Sequence, residues 1–276
     1  MQDGVVAAPG AWNGLVAHAV AEVGFDACYI SGGATANACG VPDIGLIPLD
    51  EVCQLIQHVT EASALPTIVD ADTGYGDVEM TATTCRRYIE AGAAGMHLED
   101  QVFPKRCGHL DGKDLVTTKA MCEKIAAAAA AKSDPDPDFV LIARTDARGV
   151  DGMDAAIERA QAYREAGADM IFPESLRTQD EFAHFAQACP GLLLANMTEF
   201  GKTPHLSVNT FGNMGYDIVI FPVTMQRIAM KAITDALALL KRDGTAEALL
   251  PRMQTRQELY DLLGYAPSEA WSQPRG

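Results

Sequence analysis

The sequence predicts an α/β fold, a single (β/α)8 barrel of the TIM type with additional helices at its C-terminal end. Three observations carry this. Eight short apolar runs rich in Val, Ile and Leu recur along the 276 residues, and segments of helical character fill the gaps. Regular alternation of that kind builds a parallel sheet. The runs are continuous rather than alternating, as expected of strands covered on both faces. Eight units in a chain of this length fit one barrel, since barrels of roughly 200–250 residues fold as single units.

The strands are expected at residues 5–10, 27–32, 66–72, 95–100, 139–146, 170–174, 191–197 and 218–223. Helices are expected at 12–24, 49–63, 80–93, 119–132, 154–168 and 180–190. Two of them end in EAGA, at 90–93 and 165–168, which puts Gly just past a helix, where a left-handed cap suits it. The alanine run before Lys132 is low in complexity, but Ala is the best helix former. SDPDPD, at 133–138, reads as a turn rather than a linker. After the eighth strand two more helices are expected, at 226–244 and 246–264. A barrel needs one closing helix. The extension, residues 225–265 or so, is therefore expected to pack against a neighbouring subunit, and the tail SEAWSQPRG to fray. The whole of 1–276 is read as one catalytic unit.

Composition narrows the function. Hydrophobic residues make up 48% and charged residues 21%, an ordinary globular balance. No apolar run approaches the roughly 18 residues of a membrane span, and the first residues lack a secretory pattern. The formal charge of −16 argues against a nucleic-acid partner. Seven cysteines, an odd number without a CxxC pair, fit a reducing cytoplasm.

In such barrels chemistry sits at the C-terminal ends of the strands. Nearly every expected strand here ends in polar groups: Tyr29 and Ser31-Gly32-Gly33, Asp70 and Asp72, Glu99 and Asp100, Arg144 and Asp146, Glu174, Asn196 and Thr198. Strand period 2 would point Asp70 and Asp72 to one side. Two such carboxylates suit a hard cation such as Mg²⁺, or they cap the next helix. The glycines at 32 and 33 would let backbone amides approach an anion, or simply turn the chain. The loop EDQVFPKRCGHLDGK presents Cys107 between Arg106 and His109. If Lys105, Arg106 and His109 surround the thiol, its pKa should fall. The plainer alternative is a solvated basic loop with an incidental cysteine.

Several of these stretches match a known family. PTIVDADTGYG, HLEDQ with PKRCGH, ARTDA, FPE, LLANMTEFGKTP and MQTRQELYDLLGY together span Val5 to about Tyr265. They resemble the isocitrate lyase/phosphoenolpyruvate mutase superfamily, and most of all its 2-methylisocitrate lyase branch. KRCGH beside the DAD pair is specific for the carbon–carbon lyases. Family members place a helical segment ahead of the first strand, where this sequence starts almost at the strand. LDGK after the gate cysteine is also a form of the related dimethylmalate lyases and oxaloacetate hydrolases.

The resemblance implies a lyase of propionate catabolism that cleaves a 2-hydroxy acid to pyruvate and succinate. It implies Mg²⁺, with Mn²⁺ as a substitute, held by Asp72 with help from Asp70, Glu99 and Asp100. Tyr29 would be the base and Cys107 the acid, with Lys105, His109 and Glu174 also in the catalytic set. Ser31, Gly32, Gly33, Asp43, Arg106, Gly108, Arg144, Asn196 and Thr198 would bind substrate. It further implies a homotetramer built from helix-swapped dimers. The rival expectations are a dimethylmalate lyase, an oxaloacetate hydrolase, and a non-catalytic metabolite-binding barrel.

Overall fold

A computed structural model describes residues 4–132 and 138–271. Eight strands form one sheet: β1 (Val6–Pro9), β2 (Cys28–Ile30), β3 (Thr67–Asp70), β4 (Gly95–Glu99), β5 (Val140–Thr145), β6 (Met170–Pro173), β7 (Leu192–Asn196) and β8 (Ile218–Phe221). Every paired neighbour is parallel. The sheet curls until β1 meets β8 on one side, and a bridge from Gly10 to Tyr29 joins β1 to β2 on the other. Gly10 permits this closure: a β-carbon there would overlap the carbonyl of Pro222.

Among the described residues ten α-helices surround the barrel: α1 (Gly14–Val23), α2 (Gly32–Ala38), α3 (Leu49–Ser63), α4 (Val78–Glu90), α5 (Thr118–Lys132), α6 (Met153–Glu165), α7 (Gln179–Ala188), α8 (Val208–Asn213), α9 (Thr224–Asp243) and α10 (Arg256–Leu262). Side chains alternate along each strand and so divide the core. Ala8, Tyr29, Ile68, Ile142, Phe172, Leu194 and Ile220 fill the barrel. Their neighbours Cys28, Val69, Leu141, Ile171 and Val219 join the larger layer between barrel and helices.

The expected alternation holds, with three differences. The short helices α2 and α8 were not expected; each starts from a serine, Ser31 or Ser207, whose hydroxyl accepts an amide of the first turn. The single helix expected at 246–264 is two pieces. A 3₁₀ turn, Glu247–Arg252, contains Pro251, and α10 begins afresh at a capping box of Thr255 and Glu258. Proline lacks the amide that a continuous helix needs. The turn expected at 133–138 and the end of the tail lie largely outside the described residues. Among those residues no helix is long and apolar enough to cross a membrane.

Candidate active site

The strand ends converge on a cavity of about 250 Å³ lined by Tyr29, Ser31, Gly33, Asp43, Cys107, Gly108, His109, Arg144, Glu174, Asn196 and Thr198, among others. A larger groove of about 470 Å³ lies beyond Asp72, against Leu46, Phe103 and Val116. Asp72, Tyr75 and Lys124 line it, but Cys107, His109, Arg144 and Glu174 all line the smaller cavity, which is therefore the candidate active site.

Asp70 closes β3, and Asp72 follows in a left-handed conformation, φ +47°. That turn, rather than strand periodicity, brings the two carboxylates together. Asp70 Oδ1 accepts the Asp72 amide at 2.9 Å, and Asp70 Oδ2 accepts the Gly32 amide at 3.0 Å. A β-carbon at position 32 would stand 2.8 Å from Asp70 Oδ2 and 3.2 Å from Asp72 Oδ1. Glycine is thus required by carboxylates of the chain itself, and the Gly32 amide is already committed to one. The two acids titrate apart. Burial, then the Asp70 charge, pushes Asp72 up to about 6. Burial alone would raise Asp70 too, but His97 and Lys105 outweigh it and hold Asp70 at about 2.

Lys105 enters this cluster from the gate loop. Its ammonium is buried, 2.5 Å from Asp43 Oδ1 and 2.7 Å from Asp72 Oδ1. Asp72 Oδ1 and both Glu99 oxygens are buried without accepting an aligned hydrogen bond. They face cations instead: Lys105 for Asp72, and Arg144 at 3.1 Å for Glu99. Buried carboxylate oxygens balanced only by such side-chain cations suit a hard divalent cation, so the residues fit Mg²⁺. Among the described residues no three such groups already stand at coordinating distance. Waters and substrate oxygens would have to complete the set, as Mg²⁺ usually requires.

Asp100 does not join this cluster. It is adjacent to Glu99, so the strand period turns it to the opposite face. There its oxygens take the Thr145 hydroxyl at 2.8 Å, the Asp146 amide at 2.9 Å and the Tyr163 hydroxyl at 2.8 Å. Arg106 is also placed elsewhere. Its backbone is pinned both ways by the side-chain amide of Gln101, at 2.8 Å each, and its exposed side chain lies over Gly112.

Cys107 lines the cavity, but its thiol is not activated as the basic loop suggested. Burial pushes its pKa up, and the amide of His109 only partly offsets this. The physical reason is that Lys105 is committed to Asp43 and Asp72, while Arg106 faces away. The thiol therefore keeps its proton near neutrality. Gly108 packs against Arg144 and Glu174 so closely that a β-carbon would overlap both. Its carbonyl accepts from Ser175 Oγ at 2.9 Å and from buried Lys113. Lys113 also reaches Asp146 Oδ1 at 2.7 Å. His109 Nε2 lies 2.9 Å from Glu174 Oε1, off the line an ideal hydrogen bond would take. Burial would raise the Glu174 pKa, but Arg144 and His109 overcome it and hold this carboxyl well below its usual range.

Arg144 ties the site together. It meets Glu99, donates to Asp146 Oδ2 at 2.9 Å, and lies 5.3 Å from the centre of the Phe172 ring. Four residues at or beside the cavity escaped the sequence reading. His97 Nε2 is 2.7 Å from the Tyr29 hydroxyl; its strand spacing from Glu99 could have revealed it. Phe172 and Arg227 line the cavity, and Lys113 anchors the gate. Nothing local in the sequence marks Arg227, at the first turn of α9, as a neighbour of β7.

Comparisons with known proteins show which family the chain resembles. The family model described as phosphoenolpyruvate phosphomutase matches residues 1–241. A probable 2-methylisocitrate lyase of Corynebacterium glutamicum is 51% identical over 96% of this chain and 87% of its own length. The 2-methylisocitrate lyase of Aeropyrum pernix is 48% identical, covering 95% and 83%. The 2,3-dimethylmalate lyase of Eubacterium barkeri is 42% identical, covering 94% and 90%. Among solved structures, a 2,3-dimethylmalate lyase described as a PEP mutase/isocitrate lyase superfamily member superposes with TM-score 0.90 at 38% identity, over 95% of this chain and 87% of that one. An oxaloacetate acetylhydrolase bound to 3,3-difluorooxalacetate gives 0.90 at 37%, covering 95% and 89%. A phosphonopyruvate hydrolase solved with oxalate and Mg²⁺ gives 0.84 at 30%, covering 94% and 90%.

Proposed function

The chain belongs to the phosphoenolpyruvate phosphomutase family, in the PEP mutase/isocitrate lyase superfamily, and on that premise we propose that it cleaves 2-methylisocitrate to pyruvate and succinate. It is a carbon–carbon lyase. One observation carries the reading: a thiol, Cys107, shares a cavity with Arg144, Asn196 and Thr198, groups able to hold carboxylates. A binding protein would have no use for that acid.

Asp72, Asp70 and Glu99 would hold Mg²⁺, or Mn²⁺ in its place, and the ion would polarise the substrate's hydroxyl and carboxylate oxygens. Arg144, Asn196, Thr198, Ser31 and the Gly33 amide hold substrate carboxylates. Tyr29 takes the hydroxyl proton. Burial, with Asp70, keeps its pKa well above the ordinary phenol value, so Tyr29 would act as the base only with a bound cation beside Asp70 to offset that carboxylate's charge. The oxygen electrons then form the pyruvate carbonyl while the C–C bond breaks. The released pair resides on the carbon beside a carboxylate, and Cys107 delivers the proton that makes succinate. Gate closure keeps water from that carbanion.

The similarity to dimethylmalate lyases favours one alternative substrate, 2,3-dimethylmalate. The test is pyruvate release from 2-methylisocitrate, with and without Mg²⁺, beside isocitrate, dimethylmalate and oxaloacetate. Mg²⁺-dependent turnover fastest on 2-methylisocitrate supports the proposal; oxalate formed from oxaloacetate would assign a hydrolase instead. We further place the enzyme in the cytoplasm, since its cysteines are free. We assign it a homotetramer of dimers that exchange the extension after β8.

A further inference from the structure

The loop after β7 meets the loop that carries Cys107 at His109, and the contact is unusually close. The Lys202 amide donates to His109 Nδ1 at 3.0 Å. The residue before it is Gly201, where a β-carbon would overlap the His109 imidazole itself. Only glycine lets backbone come this near the ring.

The loop is held rigidly enough to act as a support. Glu199 accepts from Thr224 and, at 2.9 Å, from Arg227 of α9. Thr203 donates to the Leu176 carbonyl at 2.8 Å. Between these anchors Phe200 is forced to φ +60° with its ring in solvent, a strained conformation for a non-glycine residue that persists only when its surroundings impose it.

We propose that Gly201 and the Lys202 amide form a positioning seat that fixes the tautomer of His109 and, through it, the place of Cys107. The chemistry is simple. A peptide amide can only donate, so His109 Nδ1 must accept, and the ring proton must sit on Nε2. That nitrogen faces Glu174 Oε1 at 2.9 Å. The opposite tautomer would set a nitrogen lone pair against a carboxylate. With the ring fixed at both nitrogens, Gly108 is held against Arg144 and Glu174, and Cys107 lines the cavity beside the substrate groups. The neighbouring surface pair of Lys202 with Asp111 has no part in this, since Asp111 is exposed.

The inference uses the lyase reading only for its kinetic arm, so a wrong substrate leaves the other arm intact. In solid-state ¹⁵N spectra of histidine-labelled enzyme, with His109→Asn to assign the signal, His109 should show a bare Nδ1 and a protonated Nε2. Gly201→Ala should mix or reverse that pattern. It should lower kcat about 10–100-fold, the effect of a small misplacement, while KM moves far less. Asp111→Asn should keep both the tautomer and the parental rate. A parent protein with Nδ1 protonated and Nε2 bare overturns the proposal, whatever the variants do. So does a Gly201→Ala variant with parental turnover, or an Asp111→Asn variant as impaired as Gly201→Ala.

Discussion

The hydroxyl of Tyr29 lies 2.7 Å from His97 Nε2, and His97 Nδ1 lies 3.6 Å from Asp70 Oδ1. The imidazole is fully buried, and that burial, against the pull of Asp70, pushes its pKa down to about 4. An unfolded histidine titrates near 6.5. Between those values the unfolded chain binds more protons, so stability falls as pH drops from about 6.5 to about 4. The shift of roughly 2.5 pKa units corresponds to about 3 kcal/mol. Asp72 has the opposite sign: its raised folded pKa of about 6 gains stability as pH falls toward its unfolded value near 3.9. The parental curve alone therefore shows partial cancellation. The difference between parent and His97→Gln isolates the histidine. In chemical unfolding, the parent should lose about 3 kcal/mol relative to the variant between pH 7 and pH 4. A difference that does not vary with pH would mean that His97 is not held neutral.

Asp72 should dominate metal affinity. Its Oδ1 accepts no aligned hydrogen bond and faces only Lys105. Asp72→Asn removes the charge while keeping the shape. Mn²⁺ binding, followed by electron paramagnetic resonance, should weaken by more than the roughly 10–100-fold that outer-shell changes cost. An unchanged dissociation constant would remove Asp72 from the ligand set.

The barrel was legible because its strands are covered on both faces and read as apolar runs. The strand ends were legible as a list of polar residues. Their directions were legible only where period 2 persists: it separates Asp100 from Glu99, and would have found His97. It fails at Asp72, because a left-handed turn replaces the strand there. The thiol of Cys107 shows a different limit. Two basic neighbours in sequence suggest a lowered pKa, but Lys105 is drawn 2.7 Å from Asp72 and Arg106 lies outside. Contacts between distant segments, such as Arg227 beside Thr198 or Gly201 beside His109, leave no local pattern at all.

The α9 helix predicts association. Met230, Ile233, Leu237 and Leu240 are each 43–58% exposed in the single chain, an apolar stripe that a lone soluble protein rarely leaves open. Sedimentation at micromolar concentration should show a species larger than one subunit. Leu237→Glu should shift it toward monomer, because a charge would then be buried unpaired at the contact. A parent protein that sediments as a stable monomer would exclude helix exchange.

The proposed reaction makes Cys107 the general acid. Its thiol stays protonated near neutrality because burial raises its pKa, which is the state a general acid needs. Cys107→Ser keeps the size of the group but replaces it with a far weaker acid, so the carbanion waits unprotonated. Turnover should fall by about 10²–10⁴-fold, the span of one general acid, with little change in substrate binding. Cys28→Ser and Cys189→Ser alter buried residues of the outer core layer and should affect stability rather than rate. Alkylation should inactivate the enzyme, since the thiol is partly exposed, and product with Mg²⁺ should protect it by filling the cavity that Cys107 lines. Parental turnover of Cys107→Ser on every acid tested would reduce the loop to a gate, and the proton would then have to come from Tyr29, His109 or Glu174.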